Sequence, residues 1–325
     1  MLFLYLAFRN VNLHELGEIL KSTNYFFVIG GIFIGVVIGS AVRAKRWGIL
    51  LEPIKKGIRF KGLFSATAIG YMVNNLIPRS GEVVRPFLLG KDEDIPKASV
   101  FATIIVERII DTTMFLLMFG LALIYFKGRI AAAIPDIDFA IIILTAGIFL
   151  LLGTIMLMMF KPEPSLKVIK FFTRFLPKKI HDRIDNIFTS LLKGFSILKD
   201  PRRLLRMGFW SIVLWVVYLF STYIPFYSFD IFTENTPFLE SLWNANLLLV
   251  LINVAMFIPS PAATGPYHYI CKVTLVSIFS VNEAKALGYA TSTHLVSFVL
   301  FFILGIYFFL THHYKISELK EGTSS

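Results

Sequence analysis

The sequence predicts an all-α polytopic membrane protein with about six to eight transmembrane helices and two opposed re-entrant, broken-helix hairpins in an inverted repeat. Three observations lead to this reading. The chain is 56% hydrophobic and only 16% charged, with a mean hydropathy of +0.72, too apolar for a soluble domain of 325 residues. Several apolar runs are long enough to cross about 30 Å of hydrocarbon as helix. Basic residues bunch beside those runs, as they do on the cytoplasmic side of membrane proteins. No ladder of short alternating strands is visible, so helices are the spanning element.

Taken in order, the spans are Asn24 to Val42, Ala98 to Phe126, Asp138 to Phe160, Met207 to Phe229, Leu239 to Ile258 and Lys285 to Leu310. Met1 to Phe8 is apolar but too short to span, and it lacks the basic start and small-residue cleavage site of a signal peptide. It reads as the end of a helix that starts upstream or as an interfacial helix. Between Arg43 and Lys61 seven Lys/Arg face one acid, and between Lys161 and Arg206 twelve face four. Both stretches therefore read as cytoplasmic loops, the first beginning at Arg43. The segment from Asp230 to Glu240, with three acids and no base, reads as external. This places the C-terminus in the cytoplasm and the protein in the bacterial cytoplasmic (inner) membrane. The net charge of +11 then belongs to lipid headgroups, and no nucleic acid is expected.

The whole chain, 1–325, reads as one membrane domain. Its first half is 1–160, with a re-entrant segment at about 62–90. An amphipathic cytoplasmic linker at 161–206 comes next, with Ile180, Ile184, Ile187, Leu191 and Phe195 at helical spacing. The second half is 207–313, with a re-entrant segment at about 239–280, and a short polar tail, 314–325, ends the chain. The re-entrant reading comes from length. Phe64 to Ile77 holds fourteen residues, short for a full span, and the charge signs agree only if 61–97 begins and ends on one side. Leu239 to Ile258 stops at Pro259-Ser260-Pro261 and is followed by a short apolar stretch, as Ile77 is followed by Pro78-Arg79-Ser80-Gly81. Opposed broken hairpins of this kind mark inverted-repeat transporters whose site lies near mid-membrane. Ile-Pro followed by small residues is also common wherever a helix stops.

Polar groups at membrane depth are costly and functional, so the candidate site starts at Asn74 to Arg85. Arg79 and Arg85 can offer planar donor forks to a phosphate. Asn74 and Asn75 would orient a headgroup, and Ser80 and Gly81 would belong to the phosphate-binding turn, with Gly81 or Glu82 opening a helix whose N-terminus favours an anion. An interfacial salt bridge is the plainer reading. Glu82, Glu107, Arg108 and Asp111 would balance charge, and Glu107 and Asp111 share a helix face. Three roles stay open for that cluster: partners of Arg79 and Arg85, a proton carrier for coupling, or a buried ion network that fixes packing. In the second half, Pro259, Ser260, Pro261, Gly265 and His268 form the corresponding turn, and Asn246 and Asn253, seven residues apart, could line a cavity. No metal-ligand spacing links the six histidines, and no metal or cofactor is expected. The single cysteine, Cys271, excludes an intrachain disulfide. Enzyme signatures are missing: no G-x-S-x-G, P-loop, H-E-x-x-H or dinucleotide fingerprint.

Asn75-Leu76-Ile77-Pro78-Arg79-Ser80-Gly81-Glu82-Val83-Val84-Arg85, then Glu107-Arg108-Ile109-Ile110-Asp111, then Ile258-Pro259-Ser260-Pro261, resemble the flippase-like family named for the transmembrane region of lysylphosphatidylglycerol synthase. Arg43-Ala44-Lys45-Arg46-Trp47 is similar to that family's basic Arg-Trp element. The resemblance covers nearly the whole chain. It implies transfer of an anionic, aminoacylated or glycosylated lipid between leaflets by a stand-alone member. The soluble aminoacyl-transferring domain is absent, so lysyl transfer is not implied and the chain is not expected to be an enzyme. Many relatives carry a Gly-rich turn and a glutamate where this chain has Ala262-Ala263-Thr264-Gly265-Pro266-Tyr267-His268. The alternatives are an integral-membrane lipid-modifying enzyme and a non-transporting partner of a separate lipid synthase or glycosyltransferase. Expected partners are anionic membrane lipids and, in that last reading, the synthase or glycosyltransferase; a homo-oligomer is compatible with the sequence.

Overall fold

The computed structural model describes residues 2–133, 138–160, 200–232 and 236–312. Among these, all regular structure is helical, and the protein is a polytopic integral membrane protein. Five helical stretches are long and apolar enough to cross a bilayer: Tyr25–Leu51, Ser99–Arg129, Pro201–Ser228, Phe238–Ala255 and Glu283–Thr311. A shorter apolar stretch is Ile142–Gly153. The amphipathic linker expected from 161 lies outside the described residues up to 199, as do the tail from 313 and part of the acidic loop.

The N-terminus forms two short helices, α1 (Leu2–Phe8) and α2 (Leu13–Ser22). Asn10 turns the chain between them in the left-handed region (φ 67°), and Asn12 caps α2 by accepting from the His14 and Glu15 N–H groups. α3 (Tyr25–Phe33) runs through a π-helical turn at Ile34–Ile38 into α4 (Gly39–Leu51). The expected span ending at Val42 is therefore longer, and Arg43 does not begin a loop. Helix continues because Arg43 and Arg46, 6% and 0% exposed, find partners inside the protein. The π turn adds a residue to the helix and so rotates the downstream residues by about 100°, which sets the face that α4 presents.

The first hairpin is α5 (Phe60–Leu76) and α6 (Gly81–Asp92). Their seventeen and twelve residues reach about 25 and 18 Å. Next come α7 (Lys97–Ala133), α8 (Asp138–Phe160) and α9 (Pro201–Tyr223), the last capped by Asp200. The second hairpin is α10 (Phe238–Ala255) and α11 (Pro266–Phe279), joined by a 3-10 turn at Pro261–Ala263. α12 (Glu283–Thr311) closes the fold, capped by Asn282.

Two apolar cores are the largest among the described residues. Trp47, Leu50, Ile69, Val84, Leu88 and Val100 centre the one around α4–α7. Val28, Phe226, Leu248, Leu275 and Tyr289 centre the other, around α3 and α9–α12. α12 packs on both α5 and α11, and α5 also touches the 261–263 turn. The tip of the second hairpin thus rests against a helix of the first. His294, well inside α12, donates from Nε2 to the Ala262 carbonyl at 2.8 Å, and Asn75 donates to the Phe298 carbonyl at 3.4 Å. Both hairpins are tied to neighbouring turns of the same helix.

Candidate functional site

The α5–α6 turn is built by close approach. A Cβ on Gly81 would overlap the Gly70 carbonyl of the facing helix, so the residue at that position must be glycine for the two helices to touch. Asn74 Oδ1 accepts the Gly81 N–H at 2.7 Å. The next N–H groups, of Glu82, Val83 and Val84, bond to Arg79 and Ser80 carbonyls at 3.0 to 3.3 Å. The N-terminus of α6 is thereby saturated by the protein's own acceptors, and Ser80 Oγ donates to the Ile77 carbonyl at 2.6 Å. Arg79 occupies the left-handed region (φ 65°) at an exposed tip with Leu76 and Ile77. Among the described residues its guanidinium has no partner.

Behind this turn lies a buried ionic network joining four helices. Glu107, on α7 and fully buried, accepts from Arg43 of α4 at 2.6 Å and from Arg85 of α6 at 2.5 Å. Arg46 of α4 lies 3.3 Å from it. Asp111, one turn along α7, accepts from Arg43 at 2.8 Å, from Arg46, and from Arg108 at 2.9 Å. Arg43 also donates to Tyr218 OH (3.2 Å) and Arg46 to Ser211 Oγ (3.1 Å), both on α9. The Arg85 guanidinium lies 3.9 Å over the Trp47 ring, a cation–π contact worth about 2 kcal/mol when desolvated. Trp47 is held in turn by donating to Thr103 Oγ1 at 2.9 Å.

Four guanidiniums therefore face two carboxylates, Glu107 buried and Asp111 half-buried. The Nε–H groups of Arg43, Arg46, Arg85 and Arg108 are all buried without an acceptor. The network holds more donors than its own acceptors can satisfy. It opens on one side into a narrow cleft. Thr67, Gly70, Tyr71 and Asn74 of α5, Gly81, Glu82 and Arg85 of α6, and Ile104 and Arg108 of α7 line it.

The sequence-predicted residues are thus divided. Asn74, Gly81, Glu82, Arg85, Glu107, Arg108 and Asp111 converge on the cleft and the network behind it. Arg79 and Ser80 stand at the tip, outside the cleft lining, and Asn75 turns to α12. Asn246 donates to the Met118 carbonyl on α7 at 3.4 Å, and Asn253 to the Leu249 carbonyl of its own helix at 2.7 Å; neither lines the cleft. In the second hairpin Pro259 is exposed, Ser260 Oγ is buried without a partner, and Gly265 (φ 97°) lets α1 approach at Leu4. His268 is buried with its ring 4.7 Å from that of His294. Arg43, Arg46 and Trp47 were missed as site residues because a basic run beside a span reads as a cytoplasmic loop. Their spacing of three and four places them on one helix face, as the spacing of four does Glu107 and Asp111, and is the signal for them.

The profile of the family described as the lysylphosphatidylglycerol synthase TM region matches residues 1–305. A UPF0104 membrane protein of Methanocaldococcus jannaschii is 24% identical over 331 residues, covering 98% of this chain and 94% of that one. One of Methanothermobacter thermautotrophicus is 23% identical over 307 residues, 90% of this chain and 87% of the relative. One of Pyrococcus horikoshii is 26% identical over 279 residues, covering 81% and 80%. No solved structure matches significantly. The network and hairpin thus lie inside the matched region, and the chain belongs to the family of lysylphosphatidylglycerol synthase transmembrane regions.

Proposed function

We propose that the chain is a lipid transporter that moves an anionic, phosphate-bearing lipid between the leaflets of the cytoplasmic membrane. The observation that carries this reading is the guanidinium excess beside an open cleft, in a helical hairpin flanked by apolar spans. Charge at that depth is retained where it meets a ligand or a partner, and arginine is suited to phosphate oxygens. Arg79, unpaired at the exposed tip, meets the phosphate first; Arg85, paired with Glu107 at the back of the cleft, contributes to the positive field that draws it in. Glu107 and Asp111 hold the arginines in place and limit the net charge. The exposed apolar side chains at both tips, Leu76 and Ile77 on one and Met256 and Phe257 on the other, suit acyl chains. In this reading the hairpins are re-entrant from opposite faces, related as an inverted repeat, and the basic loops and C-terminus are cytoplasmic.

The test is reconstitution into liposomes carrying headgroup-labelled anionic phospholipid. Wild type is expected to carry label across the bilayer faster than protein-free liposomes, and Arg79→Ala/Arg85→Ala to slow it by at least tenfold. Equal rates for wild type and double variant would overturn the site assignment. No acceleration by wild type over a panel of anionic lipids would overturn transport itself.

A further inference from the structure

Arg108 differs from the other three arginines of the network. Its side chain is 40% exposed, against 8% for Arg43, 0% for Arg46 and 7% for Arg85. Those three are committed to short bonds with Glu107 and Asp111. Arg108 holds Asp111 at 2.9 Å with one nitrogen, which also lies 3.6 Å from Glu107, and reaches the other way with its second, across the cleft, to Glu82 at a loose 3.6 Å. Its Nε–H has no acceptor. Glu82 is itself 41% exposed and comes directly after Gly81, whose backbone is pinned by Asn74 and by contact with Gly70. The backbone under Glu82 is therefore held while its carboxylate is free to swing.

We infer that Glu82 is a built-in stand-in for the ligand's phosphate: it occupies Arg108 in the empty cleft, and a lipid phosphodiester displaces it. This rests on the reading of the cleft as a lipid-phosphate site and names the residue that receives the phosphate and the class of phosphate received. The class is set by charge. Four guanidiniums less Glu107, Asp111 and a displaced but still ionised Glu82 leave one positive charge. A phosphodiester, with one negative charge, neutralises it, whereas a doubly charged phosphomonoester leaves an unpaired negative charge in a low-dielectric site, which is costly. Exchange of one carboxylate for one phosphate at the same guanidinium needs no rebuilding of the buried network, so binding and release stay reversible.

The experiment measures affinity of purified protein in neutral detergent for three probes. They are short-chain phosphatidylglycerol (phosphodiester), short-chain phosphatidic acid (phosphomonoester) and the chain-free headgroup glycerophosphoglycerol. Wild type is expected to prefer phosphatidylglycerol over phosphatidic acid and over the chain-free headgroup. Glu82→Gln removes the competitor and is expected to tighten phosphatidylglycerol binding by about tenfold and to narrow or reverse the preference against phosphatidic acid. Glu82→Asp, which keeps the charge, is expected to stay near wild type, separating competition from a change in fold. Arg108→Gln is expected to weaken phosphatidylglycerol binding by at least tenfold while thermal stability without lipid stays within a few degrees of wild type. If Arg108→Gln unfolds, Arg108→Lys, with a point charge in place of the fork, is expected to weaken binding severalfold. Unchanged or weaker binding in Glu82→Gln overturns the stand-in, as does unchanged binding in the Arg108 variant. Equal affinity for the chain-free headgroup overturns the lipid as source. Wild type that binds none of the three overturns the phosphate-site reading as well, a failure distinguishable from the others.

Discussion

The two hairpins use one backbone device for opposite ends. Each is a pair of helices broken at an Ile-Pro step and tied at its turn to α12. In α5–α6 the turn backs onto arginines and carboxylates that join α4, α6, α7 and α9. In α10–α11 the turn is neutral, carrying left-handed Ala262 and Ala263 (φ 49° and 57°), with the tilted rings of His268 and, from α12, His294 beside it. Its one buried cation, Lys272, is taken up by the Arg9 carbonyl at 3.1 Å, with Glu283 at 3.6 Å. The same hairpin shape can therefore either back onto a charge network or seal a packing surface. The difference between them is whether the neighbouring helices bring opposite charge to the turn.

The sharpest way to break that contrast is at Glu107. Glu107→Gln leaves Arg85 and Arg43 buried with half their acceptor gone, and breaking a buried ion pair costs about 3–5 kcal/mol. Thermal or denaturant unfolding in detergent should show a loss of that order, while His268→Gln in the second hairpin should cost far less. A comparable loss in both would mean the hairpins are stabilised alike.

Next in size is the close contact of α5 with α6. Gly81→Ala drives a Cβ onto the Gly70 backbone, an overpacking that costs about 1–3 kcal/mol and must separate the helices. Gly265→Ala in the other hairpin has a milder obstacle, Leu4 N at 3.3 Å, plus the backbone strain of φ 97°, roughly 1–3 kcal/mol. Unfolding midpoints should rank the first variant below the second, and transport should fall with Gly81→Ala because the cleft is bounded by that contact.

The smallest effect is the most discriminating. Ala262→Gly and Arg79→Gly each relieve a left-handed residue at a hairpin tip, for a gain of about 1 kcal/mol. Both should raise the unfolding midpoint slightly. Only Arg79→Gly should slow lipid transfer, since only it removes a charge; equal transfer rates would place the tip arginine outside the function.

Much of the architecture was legible because apolar length and prolines are local signals. Phe238–Ala255 was visible as a run ending before Pro259, and α6 opens at Gly81, where its N-terminus was expected. The boundary at Val42 was misplaced for a physical reason. A helix in lipid is expected to end where charge begins, unless other helices supply counter-charge. Here Arg43 meets Glu107, 64 residues away in the chain. Asn253 illustrates the converse: its spacing from Asn246 suggested a shared wet face, but it bonds within its own helix and Asn246 bonds to α7.

The sequence by itself determined that this chain lives in a membrane, where its long helices run, and that charged residues sit where lipid would reject them singly. Hydropathy, helix length and turn chemistry dictate these, and each segment carries them alone. Only the tertiary structure decided which charges meet, that Asn74 caps the turn, and that Arg108 is left half-open beside Glu82. Those are outcomes of packing. A buried guanidinium is tolerable only against its counter-charge, and where that counter-charge lies is a property of how helices far apart in the chain come together.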